Sequence, residues 1–301
     1  MLTNEQLEQR KHYIGGSDMA AICNKSPYET AFNVWNYKTG KKVQPDISDL
    51  PHIKFGNYVE PCIGKWFADE TGKEIIKSTE TIFHKDIPYL AGNLDFELTK
   101  ENAILECKTA YNDDGWGSDK NMIPLHYRIQ VAHYCAVGGY DKVYVAVFFC
   151  STRTMQCYEY NRHAEAEKQL LARAEKFWNE NVQKDIPPEP TSTTDFIEAY
   201  PDTTPEPLIA TATLEEKINL LKTANEHIKR LEKDAELLKV SVFSEMKDKD
   251  TLVDAMGNVL ATWKKTRPVH RFDSATFAYD HQDLYVKYLK EGSPQRRFLL
   301  K

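Results

Sequence analysis

The chain has 301 residues, 41% hydrophobic and 28% charged, with a formal charge of −6. That length holds one large core with an appendage or two modest domains, and the composition is that of a soluble globular protein. No run approaches the ~20 apolar residues of a membrane span, and the net acidity argues against coating nucleic acid by bulk charge while leaving room for a local basic track.

The first residues, MLTNEQLEQRKHY, are polar and lack the apolar centre of a secretory signal. Cys23, Cys62, Cys107, Cys135, Cys150 and Cys157 are scattered without a CxxC pair. A cytoplasmic protein with reduced thiols and no cysteine-bound metal is therefore expected.

Taken in chain order, Asp18 to Asn24 and Thr30 to Thr39 read as short helices. Tyr58 to Thr71 reads as a longer one, closed by Gly72. Glu80 to His84, Leu90 to Leu98 and Ala103 to Thr109 are strand candidates. Pro124 to Val137 is an amphipathic helix ended by Gly138-Gly139. Lys142 to Cys150 is a buried strand with Thr154 to Tyr160 as its hairpin partner, and Arg162 to Asn181 is a further helix. This order predicts an α/β (α+β) fold: a mixed central sheet flanked by helices, over residues 1–186.

Residues 187–207 concentrate proline and threonine, as a linker or extended strap would. An extension follows over 208–301. Its long helix candidate repeats Leu221, Ile228, Ala235 and Val242 every seven residues, with Ala224, Leu231 and Leu238 between them. A packed amphipathic helix and a coiled-coil-like arm both remain open. A hairpin turning near Met256-Gly257-Asn258 and a helix over Ser274 to Leu289 complete it. Lys264, Lys265, Arg267 and Arg271, then Arg296, Arg297 and Lys301, are solvated surface charge or contacts to a phosphate backbone.

The stretch LAGNLDFELTKENAILECKTA carries the chemistry. A turn at Thr99-Lys100-Glu101-Asn102 pairs Leu98 with Ala103 and so sets Asp95 opposite Glu106. Lys108, two residues on, shares that face. Two carboxylates so close repel unless a cation sits between them, and hard oxygen donors suit Mg²⁺, with Mn²⁺ able to substitute. An exposed hairpin with an ordinary ion pair is the alternative.

Three other stretches bear on it. Gly15-Gly16-Ser17-Asp18 stands at a helix mouth with Arg10 upstream, a place for an anion or a plain capped turn. Glu60 is expected at a helix start, although Pro61 disfavours helical dihedrals there. Gln130 and Tyr134, four apart, share a helical face. His126 and His133 are seven apart, too far for one turn to chelate zinc, and read as structural or close to DNA.

In order, IGGSD…SPYET, GNYVEP, AGNLDF…LECKT and QVAHY resemble the YqaJ-type viral recombinases, which belong with the lambda-type exonucleases in the PD-(D/E)xK nuclease superfamily. The resemblance covers about residues 10 to 160. It implies a restriction-endonuclease-like core with a two-metal site that hydrolyses DNA phosphodiesters. Asp95, Glu106 and the backbone carbonyl of Cys107 match metal ligands. Glu60 completes the site, directly or through water. Lys108 matches the catalytic lysine, and Gln130 helps position the phosphate or water. Arg10 and Ser17, with Tyr134 close by, fall where the 5′-phosphate and DNA are held.

The usual proline before the first acid is replaced by Asn93-Leu94. With no cysteine after Cys157, no iron–sulfur cluster is expected. The activity implied is a Mg²⁺-dependent 5′-to-3′ exonuclease on ends of linear double-stranded DNA, phage-type, in bacterial host cytoplasm. A trimeric ring and a single-strand annealing protein as partner come with the same resemblance. A structure-specific or nicking endonuclease on the same metal core is the rival, and a non-catalytic DNA-binding protein the third reading.

Overall fold

The computed structural model describes residues 8–119, 122–290 and 296–301. Its contacts divide the chain into two units, one ending at Tyr200 and one starting at Pro201.

The first unit opens with a 3-10 turn at Arg10–His12 and two helices, α1 (Gly16–Ile22) and α2 (Ala31–Lys38). A long helix, α3 (Pro51–Thr71), comes next. Strands β1 (Ile75–Lys77), β2 (Thr81–Phe83), β3 (Ala91–Asn93), β4 (Phe96–Leu98) and β5 (Ala103–Ala110) follow. Helix α4 (Leu125–Gly138) leads to β6 (Lys142–Phe149), β7 (Thr154–Asn161) and α5 (Ala164–Lys176). Helix α5 runs on into a π-helical turn at Phe177–Val182.

Five strands form the central sheet in the order β1-β4-β5-β6-β7. Only β5 and β6 are parallel. A parallel neighbour needs a crossover, and α4 supplies it. Alternation along β5 sorts its side chains onto two faces. Ala103, Leu105 and Cys107 pack with Ile63 and Phe67 of α3. Ile104 faces the opposite cluster, with Val131, Tyr134 and Cys135 of α4. Glu106 and Lys108 continue the α4 face.

The expected strand from Leu90 to Leu98 is broken. Residues 91–93 pair with β2 in a separate small sheet, whereas 96–98 join the central one. Asp95 sits at the break, its carboxylate taking a backbone N–H that strand pairing would otherwise use. β1, which pairs antiparallel with β4, has no counterpart in the sequence reading, because three residues are too few to carry a period.

Residues 187–207 are not uniformly extended. Helix α6 (Thr193–Ala199) carries a capping box in which Ser192 accepts from Asp195 N. Thr30 donates to Asp195 at 2.9 Å, and Asn36 to Glu198 at 3.3 Å, which ties this helix to α2.

The second unit is built on α7 (Ala212–Met246), capped by the Thr211 hydroxyl, which accepts from Leu214 N. A hairpin of β8 (Thr251–Val253) and β9 (Val259–Thr262) turns at Gly257, whose φ of 86° suits glycine. The expected final helix is two, α8 (Ser274–Asp280) and α9 (Gln282–Tyr288), with His281 outside helical dihedrals. Neither buries a residue, so no packed face holds a single longer helix straight.

Candidate active site

The β4–β5 ladder pairs Glu97 with Ile104 and Phe96 with Leu105, then stops. One further step in that register sets Asp95 against Glu106, the pairing expected from the four-residue turn. Asp95 Oδ2 accepts from the Cys107 backbone N–H at 2.7 Å. In a strand, a residue's N–H and C=O point to the same side. The Cys107 carbonyl therefore faces the Asp95 side, where β4 no longer covers it, while its thiol packs in the core.

Glu106 is 3% exposed. Its Oε1 accepts from Lys108 Nζ at 2.6 Å and from Gln130 Nε2 at 2.9 Å. Its Oε2 is buried with no hydrogen-bond partner. Burial pushes the Asp95 carboxyl well above the usual carboxylate range, and the charges of Glu106 and Glu60 add to the rise. Lys108 moves the other way from a buried amine. Desolvation works against its charge, but Glu106 foremost holds it an ammonium above the ordinary lysine range.

Helix α4 brings in Gln130, which also donates to the Tyr134 hydroxyl at 2.8 Å. Helix α1 lies hard against this pair. A Cβ on Gly16 would meet the Tyr134 ring at 2.8 Å and Gln130 Cγ at 2.9 Å. Gly16→Ala is therefore expected to destabilise by about 1–3 kcal/mol through overpacking. The midpoint of chemical unfolding measures this, and an unchanged midpoint would contradict so close an approach.

On the α1 side, Arg10 Nη2 donates to Ser17 Oγ at 3.1 Å and lies 3.5 Å from Asp18 Oδ1. Asp18 Oδ2 takes the Gly15 N–H at 3.0 Å and pairs with Lys38 at 2.7 Å. Burial works against the Asp18 charge, yet Lys38 and Arg10 outweigh it and hold its pKa at about 2. Two cations against one carboxylate leave one net positive charge beside the cleft. Sequence reading missed Lys38, which lies twenty residues from Asp18 with no local pattern joining them.

Glu60 corrects an expectation. It lies within α3, not at its start, because Pro51 opens the helix seven residues before Tyr58. Pro61 sits inside that helix and removes only the N–H that would have reached the Asn57 carbonyl. The Glu60 carboxylate is hydrogen-bonded by Lys77 of β1, a contact the sequence reading also missed. His133 is structural, its Nε2 against the Ala91 carbonyl at 2.8 Å. His126 is half-buried against Tyr28 and Tyr127.

Arg10, Ser17, Glu60, Asp95, Glu106, Gln130 and Tyr134 line one cleft of about 420 Å³. Lys108 reaches it through its bond to Glu106. Among the described residues no three His, Cys, Asp or Glu side chains form a ready-made metal cluster. The donors fit a hard divalent cation nonetheless: Asp95, whose pKa burial and the neighbouring Glu106 charge raise, the unpartnered Glu106 Oε2, and a carbonyl on the same side. Magnesium is commonly held by one or two carboxylates, with water completing its shell.

Residues 5–141 match the YqaJ-like viral recombinase domain. The uncharacterized protein YqaJ of Bacillus subtilis (strain 168) is 31% identical over 312 residues, covering all of this chain and 95% of that protein. Crystal structures of LHK-Exo, an alkaline exonuclease from Laribacter hongkongensis, superpose with a TM-score of 0.50 in the dAMP complex and 0.50 without it. Identity is 15% and 14%, over 61% of this chain and 94% of theirs. At that identity the likeness is one of fold: a restriction-endonuclease-like mixed sheet flanked by helices. No helix among the described residues is long and apolar enough to cross a membrane.

Proposed function

This chain belongs to the YqaJ-like viral recombinase family, and we propose that it is a deoxyribonuclease degrading one strand of linear duplex DNA from the 5′ end for phage-type recombination. The observation that carries this reading is one cleft holding Asp95, Glu106 and Gln130 beside the Arg10–Ser17 pair, with Lys108 bonded to Glu106.

Asp95, Glu106 and the Cys107 carbonyl would hold Mg²⁺, with Glu60 reached through water once it leaves Lys77. The ion would supply a Lewis acid for the charge that builds on the phosphate oxygens. The protein's own groups do the rest. Gln130 fixes Glu106 through Oε1, leaving Oε2 free to bind. Lys108, held as an ammonium, cannot take a proton, so it donates to the attacking water or the phosphate and steadies developing negative charge. Arg10 and Ser17 supply a guanidinium and a hydroxyl to the terminal phosphate. Tyr134 lines the floor and orients Gln130.

Digestion of linear duplexes carrying 5′-phosphate, 5′-hydroxyl or blocked ends, with and without Mg²⁺, tests the reading. The 5′-phosphate duplex should be cut fastest, only with the ion. Arg10→Ala should remove that preference, raising KM for the 5′-phosphate duplex about tenfold to a hundredfold. Equal rates on all ends would refute the phosphate pocket. Cleavage of closed circular DNA would favour a nicking endonuclease. By family resemblance a trimeric ring and a single-strand annealing protein belong to the same reading. A ring would retain DNA by topology, which suits a chain of net charge −6.

A further inference from the structure

Helix α7 is 35 residues long, and every residue from 219 through 242 is exposed. Most helices in proteins are held by packing an apolar face, and this one has such a face with nothing on it. Leu221 is 40% exposed, Ile228 53%, Leu231 67% and Leu238 68%. The β8–β9 hairpin does not cover that stripe. It engages the far end of the helix, where Trp263 stacks on Phe243 at 4.0 Å.

The stripe has the period of a coiled-coil seam. Leu221, Ile228, Ala235 and Val242 fall at a, and Ala224, Leu231 and Leu238 at d. Two further features identify the occupant. β-Branched Ile228 and Val242 at a, with Leu231 and Leu238 at d, favour two parallel strands over three or four. In a parallel pair each g residue meets the e residue five positions on in the other chain. Asp234 at g then meets the partner's Lys239, and His227 meets the partner's Glu232. Asp234 with Lys239 is a pair of opposite formal charge, and an in-register second copy forms it twice.

We propose that α7 is a self-association element, in which residues 221–242 zip with the same segment of a second copy into a parallel, in-register two-stranded coiled coil. The seam is about 33 Å long. This inference is independent of the nuclease reading, because no residue of the cleft takes part.

Sedimentation of the full chain tests it, and all the positions to be changed are exposed, so no core is disturbed. The wild-type assembly should have twice the mass of Leu231→Asp/Leu238→Asp if the variant is a monomer, and at least twice if the variant is the trimeric ring, whose three arms must then pair between rings. Asp234→Lys should weaken association about tenfold, and Asp234→Lys/Lys239→Asp should restore it. Ile228→Cys, placed in a Cys62→Ser chain, should cross-link between copies under mild oxidation, as a parallel register requires. Equal masses, a threefold ratio over a monomeric variant, no recovery in the charge swap, or no cross-link at 228 would each overturn the proposal.

Discussion

Asp95→Asn is expected to reduce hydrolysis by at least about a thousandfold and, at the same time, to raise the melting temperature of the metal-free protein. The two effects share one cause. Asp95 faces Glu106 and the charge of Glu60, and its carboxyl titrates well above the usual range. The folded state thus keeps a proton that the unfolded chain has already lost above about pH 4. Stability of the metal-free protein should therefore fall as pH rises from about 4, and the deficit should persist above the folded pKa.

Asparagine keeps an oxygen for the Cys107 N–H and removes the charge. The gain should be about 1–2 kcal/mol, or about 2–4 °C for each kcal/mol in a protein of this size. Calorimetry across pH measures it. Added Mg²⁺ should raise the wild-type melting temperature and leave that of the variant nearly unmoved. A variant that is both less stable and fully active would remove Asp95 from the site.

Lys108→Met should be damaging in both respects. Its ammonium is the cation paired with Glu106, whose side chain is 4% exposed. Removing one member of a buried pair commonly costs about 3–5 kcal/mol, because the other charge stays behind. The matching change Glu106→Gln should recover most of that stability in the double variant but none of the activity. Denaturant unfolding of the two single variants and the double, with a cleavage assay on each, separates the roles. Wild-type cleavage by Lys108→Met would end its assignment as the group that steadies the reacting phosphate.

The centre of this site was legible because it is local. Turn length fixes the register of Asp95 and Glu106, and alternation places Lys108 on their face. Helix ends were legible too, since Gly72 and Gly139 adopt the positive φ that closes α3 and α4. What escaped depends on contacts distant in sequence. Lys38 finds Asp18, and Lys77 finds Glu60, only after helices and strands have packed. The start of α3 is a different case: Pro51 at its first position is a local signal, and the expected start at Tyr58 did not use it. The break at Asp95 was hidden for another reason. LAGNLDFEL has the composition of one strand, yet at Asp95 the carboxylate takes the Cys107 N–H and the backbone carbonyl takes the Ser78 N–H, so the ladder ends there.

Cys107 serves the cleft with its backbone and the core with its side chain, and this bears on how the protein meets oxidants. Its thiol lies buried among Phe96, Leu105 and Phe67, and burial with the nearby carboxylate charges drives its pKa far up. A thiol that does not ionise is a poor target for peroxide or for disulfide exchange. The cysteine open to such chemistry is Cys62, exposed on α3. Damage by oxidants would thus fall on the surface of a helix first, and the cleft would be spared although a cysteine stands in its wall.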